Sequence, residues 1–454
     1  MTGSVIDFIG GFRLEDAPED VVHHARRCLL DLIGVAAAGS HMQVSGIARS
    51  VAAAQFGGDA AGFLFSDGAA SAAGAAFVNA VTIDSFDAHD GHPLTKGHAG
   101  CGSLAALLAF AGDGAAMSGR DALGHLILSY EIAIRAGIAL HATASDYHTS
   151  GAWVALATAA IGSRVMGLGP AQTREALGIA EYHGPRSQMM RCVDQPTMVK
   201  DGSGWGAMAG VVAACLAREG FTGAPAVTVE AGNVRQFWND LGSRWRIREQ
   251  YFKPYPVCRW AQPAMEAAAA LKRAHRFEAA DIEAITVRTF HEASRLAVVE
   301  PGSTDEAQYS LPFPVAALLA RGRVGPSEIE GEALTSPELL SLSRAVRLVD
   351  DARYSARFPA ERWADVEILL KDGRSLRSEP SVARGSAENP LSDAEVSEKF
   401  HELMTASGFA GRAERIEELV MSLERRPSIA PLVELLTGST RRAAESRPSA
   451  AAAL

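Results

Sequence analysis

The sequence predicts a mainly α-helical protein, with a large all-helical domain formed by both chain ends and a smaller α+β domain inserted between them. Alanine-rich segments with apolar residues at helical spacing occupy most of the chain before Pro263. Strand and hairpin patterns appear only after that point, and helical periodicity returns near residue 391. We therefore expect residues 1–263 and 391–454 to build the helical domain and residues 264–390 to build the inserted one.

The first long helix is predicted over residues 16–38. Asp16 suits its N-cap, and Pro18 lies in its first turn. Similar alanine-rich or periodic stretches, bounded by Gly or Pro, predict further helices at 42–56, 69–82, 102–112, 119–140, 150–166, 170–183, 204–219, 264–275 and, after the inserted part, 389–404. Small side chains on many faces favour helices that pack close to one another.

The inserted part combines strands with a helix. Residues 281–290 alternate between two partly apolar faces and predict a strand. Residues 364–379 have β-rich arms around Asp372 and Gly373, which is the strongest hairpin signal in the chain. Between these two segments, residues 308–322 predict a helix that is entered through prolines.

Composition limits the kind of protein. With 454 residues, of which 48% are hydrophobic and 21% charged, the chain has the make-up of a globular enzyme. A net charge of −10 argues against nucleic acid as a partner, although a local basic pocket can still bind an anionic substrate. The N-terminus lacks signal-peptide features and no apolar run reaches about 18 residues, so we expect a cytoplasmic protein that does not span a membrane. The tail from Thr437 is low in core-forming residues, and we expect it to fray.

Neither cysteines nor glycine-rich loops indicate a cofactor. The five cysteines are widely spaced and contain no C-x-x-C pair, which argues against a zinc knot, an iron–sulfur cluster or a disulfide framework. No G-x-G-x-x-G motif follows a strand and there is no Walker loop, so nothing supports nucleotide binding. We predict an enzyme that needs no cofactor and holds no metal.

The chemistry is expected to centre on the stretch from Asp84 to Gly102, which contains three aspartates, three histidines and Lys96. Apolar, small-residue segments flank it, so we expect the charged groups to be held against a core. A loop of this kind is a common way to build a site for proton transfer. Two alternatives stay open: His89 and His92 bonded to backbone carbonyls, or a metal site built from the carboxylates and imidazoles.

Three other segments supply candidates. Tyr147 and His148 lie just before a predicted helix start. Lys200 precedes a glycine-rich helix entry, where burial would lower its pKa or a substrate carboxylate would pair with it. Lys253 and Arg259 lie at the predicted domain junction and suit carboxylate binding. The alternatives are a buried tyrosine with a bonded hydroxyl and a surface lysine in a turn.

Five motifs occur in a fixed order along the chain: L-D-L-I-G-V-A-A-A-G (30–39), H-T-S-G (148–151), K-P-Y-P-V-C-R (253–259), A-Q-Y-S-L-P-F-P-V-A (307–316) and N-P-L-S (389–392). Their order and spacing resemble the MmgE/PrpD family, which includes 2-methylcitrate dehydratase, cis-aconitate decarboxylase and iminodisuccinate epimerase. The resemblance covers nearly the whole chain. It implies the domain arrangement given above, a homodimer and no required metal.

The family's loop usually runs H-x-x-D-F-D-D-T, followed by a later histidine. In the resemblance, its first and last aspartates fall on Asp87 and Asp90, and its later histidine falls on His98. Its first histidine falls on Asp84 and its middle aspartate on His89. Two of the departures thus place an acid where the family has an imidazole, and an imidazole where it has an acid.

The resemblance also implies roles for individual residues. His148 and Lys200 match the family's active-site His and Lys, whereas Gln262 stands where the family has a histidine. As hypotheses, Asp87 or His98 is the base, with Asp90 beside them, His148 or Tyr147 is the acid for a leaving hydroxyl, and Lys200 is the electrostatic partner or the opposing acid. The residues expected to contact the substrate are His89, His92, Lys96, Arg259 and Gln262.

These roles lead to a functional hypothesis. We expect a hydro-lyase that removes a proton next to a carboxylate of a small di- or tricarboxylic acid, like 2-methylcitrate dehydratase. The main alternative is an epimerase or isomerase of a dicarboxylate, which needs only two proton-transfer groups and tolerates the missing histidine at Gln262. A decarboxylase like cis-aconitate decarboxylase comes third, and a catalytically inactive dimeric binding protein is the alternative from a different class.

Overall fold

Helices dominate the structure, a computed structural model that describes residues 4–112 and 116–437. Every helix predicted from the sequence is present, with ends that differ by a few residues, so the mainly α-helical class is confirmed. The helices before residue 231 are α1 (Val5–Gly11), α2 (Glu19–Gly39), α3 (Gln43–Gln55), α4 (Ala72–Ser85), α5 (Gly100–Gly112), α6 (Gly119–Thr143), α7 (Gly151–Val165), α8 (Pro170–His183), α9 (Met189–Asp194), α10 (Ser203–Arg218) and α11 (Val227–Glu230).

The later helices are shorter, and two of them return to the first part of the chain. They are α12 (Gln262–Ala274), α13 (His291–Ser294), α14 (Thr304–Gln308), α15 (Pro312–Arg321), α16 (Pro326–Ile329), α17 (Pro337–Arg344), α18 (Ala352–Ser355), α19 (Asp393–Ala406), α20 (Ala410–Met421) and α21 (Ala430–Leu436). Helices α19 and α20 both pack against α2, so the two ends of the described chain meet in one helical body.

Serine N-caps explain where several helices begin. The hydroxyls of Ser4, Ser71, Ser118 and Ser392 each accept a hydrogen bond from the backbone N–H three residues later. Such a cap satisfies one of the free N–H groups of the first turn and contributes about 1 kcal/mol. The observed helix starts at Gly119 and Asp393 therefore have a local cause in the sequence.

Small residues allow the helices around the site to approach closely. Helix α10 packs against α7, α4 and α8. At Gly210 of α10, an added Cβ would lie 1.8 Å from the Thr158 hydroxyl oxygen and 2.2 Å from the Ala155 carbonyl oxygen. The crossing of α10 and α7 therefore requires a residue without a side chain at this position, and it brings the N-termini of both helices beside the loop that precedes α5.

The strands form one small mixed sheet and one two-residue pair. The strands are β1 (Ala61–Gly62), β2 (Ala69–Ala70), β3 (Ile282–Thr289), β4 (Val346–Asp350), β5 (Trp363–Leu370), β6 (Ser375–Arg377) and β7 (Ser381–Val382). The order in the sheet is β4-β3-β5-β6, with β7 also paired to β5. Strands β3 and β4 are parallel, whereas β3 and β5 are antiparallel.

The predicted strand at 281–290 and the predicted hairpin at 364–379 are both confirmed, as β3 and as β5–β6. Gly373 in the hairpin turn has φ +88°, a conformation that favours glycine. Strand β4 was not predicted, because its pairing partner is distant in sequence. The boundaries at 263/264 and 390/391 stay a prediction, although the sheet lies wholly between them.

Helix α6 is long and apolar enough, by length and composition, to cross a membrane. Its most apolar 18-residue segment is 94% buried inside the structure, which is typical of a core helix in a helical domain. Near the other end of the chain, Thr437 is buried and bridges to Leu64. The rest of the tail that was expected to fray lies outside the described residues.

Candidate active site

The loop between α4 and α5 is buried despite its charge. Three aspartates, three histidines and one lysine lie at or near it with little or no solvent exposure: Asp84, Asp87, His89, Asp90, His92, Lys96 and His98. The expectation that these groups are held against a core is therefore confirmed. Burial of so many ionisable groups is costly unless each has a partner or a use.

His98 lies at the centre of the cluster. Its Nδ1 is 2.6 Å from the Asp90 carbonyl oxygen, so Nδ1–H donates and the Nε2 lone pair is free. Its backbone N–H donates to the Ser150 hydroxyl over 2.9 Å. Burial, together with the charges of His89 and Lys253, holds the pKa of His98 well below its usual range. His98 is thus a neutral imidazole in a fixed orientation.

Asp201 faces the free nitrogen of His98. Its Oδ2 lies 3.8 Å from His98 Nε2 and accepts a hydrogen bond from the Ser150 hydroxyl. Burial and, after it, the nearby Asp84 carboxylate raise the pKa of Asp201 to about 7. Asp201 therefore carries an exchangeable proton near neutral pH, next to the free nitrogen of His98. Asp201 was not among the predicted site residues.

His89 and Asp84 form a second imidazole–carboxylate pair. Nε2 of His89 lies 3.6 Å from Asp84 Oδ1 and 3.8 Å from Asp87 Oδ1, and within the described part of the chain neither ring nitrogen has a hydrogen-bond partner. The other oxygen of Asp84 accepts the backbone N–H of Ser203, at the N-terminus of α10. The rings of His89 and His98 are 4.1 Å apart. The two positions at which acid and imidazole are exchanged relative to the family pattern are thus neighbours in space.

Lys253 binds Asp87. Its Nζ lies 2.5 Å from Asp87 Oδ1 and also donates to the Asp87 carbonyl oxygen over 3.2 Å. Burial alone would lower the pKa of Lys253, but Asp87, together with Tyr251 and Cys258, outweighs that effect, so the pKa is raised. A permanent cation therefore lies beside the two histidines.

Asp90 lies deeper than the other acids. Its carboxylate accepts hydrogen bonds from the Tyr130 hydroxyl at 2.6 Å and from Gln250 Nε2 at 3.0 Å. Burial raises the pKa of Asp90 to about 6. The Asp90 carbonyl accepts from the His98 ring, so Asp90 lies beneath the cluster and fixes the orientation of His98.

Lys96 and Arg362 are two buried cations without a carboxylate partner. Their side chains are 7% and 9% exposed, and across residues 4–112 and 116–437 neither forms an ion pair. Lys96 Nζ lies 4.2 Å from the centre of the Tyr147 ring, and Arg362 donates to the Pro93 carbonyl while its Nε has no partner. Burial and the charge of Arg362 lower the pKa of Lys96 to about 8. Arg362, which comes from the start of β5, was not predicted.

Lys200 is buried and faces the later part of the chain. Its Nζ lies 3.0 Å from Asp305 Oδ1 and donates to the Gln308 side-chain oxygen. Its backbone has φ 45°, an unusual conformation for a residue other than glycine. Because Asp201 follows directly, this backbone conformation also sets where Asp201 points.

Arg259 and Gln262 are engaged by other protein groups. Arg259 donates to Gln262 Oε1 over 2.9 Å and to the carbonyl oxygens of Ala383 and Arg384. Gln262 donates in turn to the carbonyl oxygens of Tyr255 and Val257. The structure therefore shows both residues joining the start of α12 to the segment after β7, and their predicted contact with substrate stays a prediction.

No hydrogen bond among the described residues joins His92 or His148 to His98 or Asp201. His92 Nε2 lies 3.1 Å from Glu249 Oε2, and its ring is fully buried. His148 is half-buried, bridges to Gln188 through its backbone, and its backbone N–H lies 3.1 Å from His141 Nε2. The neighbouring Tyr147 hydroxyl donates to Glu292 over 3.4 Å.

Two sets of side chains have the spacing of metal ligands. In each set the ligand atoms lie within 4.8 Å of one another: Asp84, His89 and Cys101 in the first, and Asp87, His89 and His98 in the second. Neutral imidazoles and carboxylates suit several divalent metals. The Lys253 ammonium already pairs with Asp87, so a positive charge lies beside the second set. The expectation that the protein holds no metal stays a prediction.

Comparison with known proteins now identifies the family. A model of the MmgE/PrpD N-terminal domain matches residues 4–240, and a model of the C-terminal domain matches residues 255–425. The chain belongs to the MmgE/PrpD family. The stretch from Asp84 to His98 and Asp201 thus lie within the N-terminal match, Lys253 lies between the two matches, and Arg362 lies within the C-terminal match.

Curated relatives within the MmgE/PrpD family are similar over nearly the whole chain. The cis-aconitate decarboxylase-like protein oryM of Aspergillus oryzae is 25% identical, over 96% of this chain and 97% of its own length. Cis-aconitate decarboxylase of Homo sapiens is 24% identical, over 96% and 95% of the two chains. Cis-aconitate decarboxylase of Aspergillus terreus is also 24% identical, over 96% of each. All three relatives are named for cis-aconitate decarboxylase, which is an enzyme of the lyase type.

Proposed function

We propose that this protein is a lyase that acts on a small di- or tricarboxylic acid through a carbanion formed next to a carboxylate. Decarboxylation is the reaction that the relatives favour, since those described above are named for cis-aconitate decarboxylase. The proposal needs no cofactor, and it includes the homodimer and the cytoplasmic location expected above.

The observation that carries the proposal is the pair of buried cations without a carboxylate partner. Lys253 has Asp87 and Lys200 has Asp305, whereas Lys96 and Arg362 point at no acid within ion-pair distance among the described residues. The Glu292 carboxylate acts on both charges, but among the described residues it forms no ion pair with either. Two buried cations without a direct ion-pair partner are expensive in the free enzyme. An anionic substrate placed between them would supply the missing negative charge.

The remaining groups suit the chemical step. On decarboxylation, the bond to the departing carboxylate breaks, carbon dioxide leaves, and the electron pair is delocalised into a neighbouring carboxylate or unsaturated system. Preorganised cations stabilise the charge that develops there, which is usually the largest contribution of such a site. The proton carried by Asp201, next to His98, then passes to the carbanion, which completes the reaction.

Dehydration, as by 2-methylcitrate dehydratase, is the second candidate. The observation in its favour is the second imidazole, His89, whose ring lies 4.1 Å from that of His98. Dehydration needs one group to take a proton from carbon and another to protonate the leaving hydroxyl. Epimerisation needs the same two groups without loss of water, so it shares this support.

The test replaces each unpaired cation by an uncharged side chain of similar length. Lys96→Met and Arg362→Met should each lower kcat/KM for a polycarboxylate by at least about tenfold, because a charge-assisted contact of this kind contributes about 1.5–3 kcal/mol. Lys371→Met, at an exposed lysine outside the site, is the matched control. Full activity in both variants would refute the assignment of the anion site.

The same proteins distinguish the reactions. Incubation with cis-aconitate and 2-methylcitrate in D₂O, followed by NMR, shows decarboxylation as loss of carbon dioxide with deuterium at the vacated carbon or at the far end of the delocalised system. New olefinic signals without loss of carbon mark dehydration, and a new diastereomer marks epimerisation. Absence of all three with every polycarboxylate offered would favour the inactive binding protein.

A further inference from the structure

A large cavity opens beside the acidic edge of the cluster. It has a volume of about 940 Å³ and lies between α3, α4, α10 and the segment that joins α8 to α10. Cavities of about 300–1,000 Å³ hold drug-sized ligands. It is therefore larger than a six-carbon acid would fill.

The wall of this cavity is mainly apolar. Of the nine large apolar side chains that are exposed within residues 4–112 and 116–437, five lie here: Ile47, Val51, Met198, Val199 and Trp205. Trp205 is 56% exposed and packs edge-on against Phe77, which lies deeper in the same wall. An exposed apolar surface gathered in one concave place indicates an apolar ligand.

The cavity lies next to the candidate active site. Its lining includes Asp84, Lys200 and Ser203. Asp84 lies 3.6 Å from His89 on its other side, and Asp201, next to Lys200, faces His98. Asp84 is thus shared by the cavity wall and the cluster.

We propose that the substrate of this enzyme carries an apolar chain, alkyl or aryl, next to its carboxylates, and that this chain lies in the cavity lined by Val51, Phe77 and Trp205. The inference rests on the proposed function, since it places the carboxylate end at the cluster. A compact tricarboxylate would leave these apolar side chains in water, whereas an amphipathic acid uses both halves of the site. The cavity's concave shape and its position next to the cluster favour a substrate chain as the occupant over a second copy of the protein.

The test measures binding rather than turnover. Calorimetric titration of the wild-type protein with 2-methyl-, 2-butyl- and 2-octylsuccinate should show affinity rising with chain length, by up to about fourfold for each methylene that becomes buried. Val51→Asp places a charge in the cavity wall at a position that is 44% exposed, so it should fold normally and lose this dependence on length. Val227→Asp, at a position that is 55% exposed and outside the cavity, is the matched control and should keep it.

Each outcome has a separate meaning. Equal affinity for all three acids, or a length dependence that survives Val51→Asp, overturns the apolar site. Light scattering on the same samples detects the other occupant: if Val51→Asp converts a dimer to a monomer, a second copy covers the cavity and the inference is wrong. If 2-methylsuccinate binds and Lys96→Met abolishes that binding, the proposed function stands whatever the chain length does. If no acid binds at all, both proposals fail.

Discussion

Replacement of Asp201 by Asn tests whether the buried proton serves catalysis at the expense of stability. The pKa of this carboxyl is raised from 3.8 to about 7, mainly by burial and then by Asp84, so the folded protein favours the neutral form. Stability should therefore fall as the pH rises from about 4 through about 7, because the unfolded chain loses this proton more easily. A rise from 3.8 to about 7 corresponds to ~4 kcal/mol at pH 8. An amide cannot ionise, so Asp201→Asn removes that cost.

The expected result is a variant that is more stable but less active. At pH 8 the free energy of unfolding of Asp201→Asn should exceed that of the wild type by up to ~4 kcal/mol, and at pH 4 the difference should nearly vanish. Turnover should fall by about 10²–10⁴-fold, the usual contribution of one proton-transfer group. In the wild type, the rate of decarboxylation should decline as the pH rises above about 7, since the His98–Asp201 pair then loses the proton it donates.

The measurements are urea unfolding curves and kcat/KM profiles, both recorded from pH 4 to pH 9. Asp59→Asn, at an exposed aspartate, is the control and should change neither. A variant Asp201→Asn that is less stable than the wild type at pH 8 and fully active would refute the reasoning. A wild-type rate that rises above pH 7 would instead indicate that the pair acts as a base, as dehydration and epimerisation require.

Two further predictions concern the acid–imidazole exchange and the helix crossing. Asp84→His and His89→Asp should each lower turnover by about 10²-fold or more. The double variant restores the family's order of the pair, so its turnover should recover to within about tenfold of the wild type. A double variant as inactive as either single variant would show that the two residues cannot be exchanged. Gly210→Ala should destabilise the protein by about 1–3 kcal/mol or more in thermal unfolding, because the added Cβ would meet Thr158. Gly411→Ala is the control and should not destabilise the protein, because no other part of the described chain lies near the added Cβ. Equal stability of the two variants would contradict the close crossing of α10 and α7.

Local patterns in the sequence were enough to predict most elements and the centre of the site. The helices, strand β3 and the hairpin after β5 follow from periodicity, caps and turn residues that lie close together in the chain. The stretch from Asp84 to His98 stands out because ionisable groups interrupt two apolar segments. Strand β4 lacks such a local signal, because it is defined by pairing with β3, about 60 residues earlier in the chain.

The residues that sequence reasoning missed come from distant segments. Asp201 follows Lys200, and its burial against Ser150 and His98 arises only when α7 and α10 cross. Arg362 lies just before a strand, where an arginine is an ordinary surface residue, and only the fold places it beside Lys96. For Arg259 the sequence suggested a role that the structure does not show: its charge suggested substrate binding, but its guanidinium donates to carbonyl oxygens of the protein.

The sequence by itself determined the helical class, the family resemblance and the stretch in which the chemistry was sought, since these depend on residue type and short-range spacing. Only the tertiary structure decided which groups share a proton, which cations lack a partner and where an apolar cavity adjoins them. Those properties depend on burial and on distances of 3–4 Å between segments that are 50 to 270 residues apart, as with His98 and Ser150 or Arg362 and Pro93. The sequence gives the charge that a side chain can carry, but tertiary packing determines whether that charge has a partner.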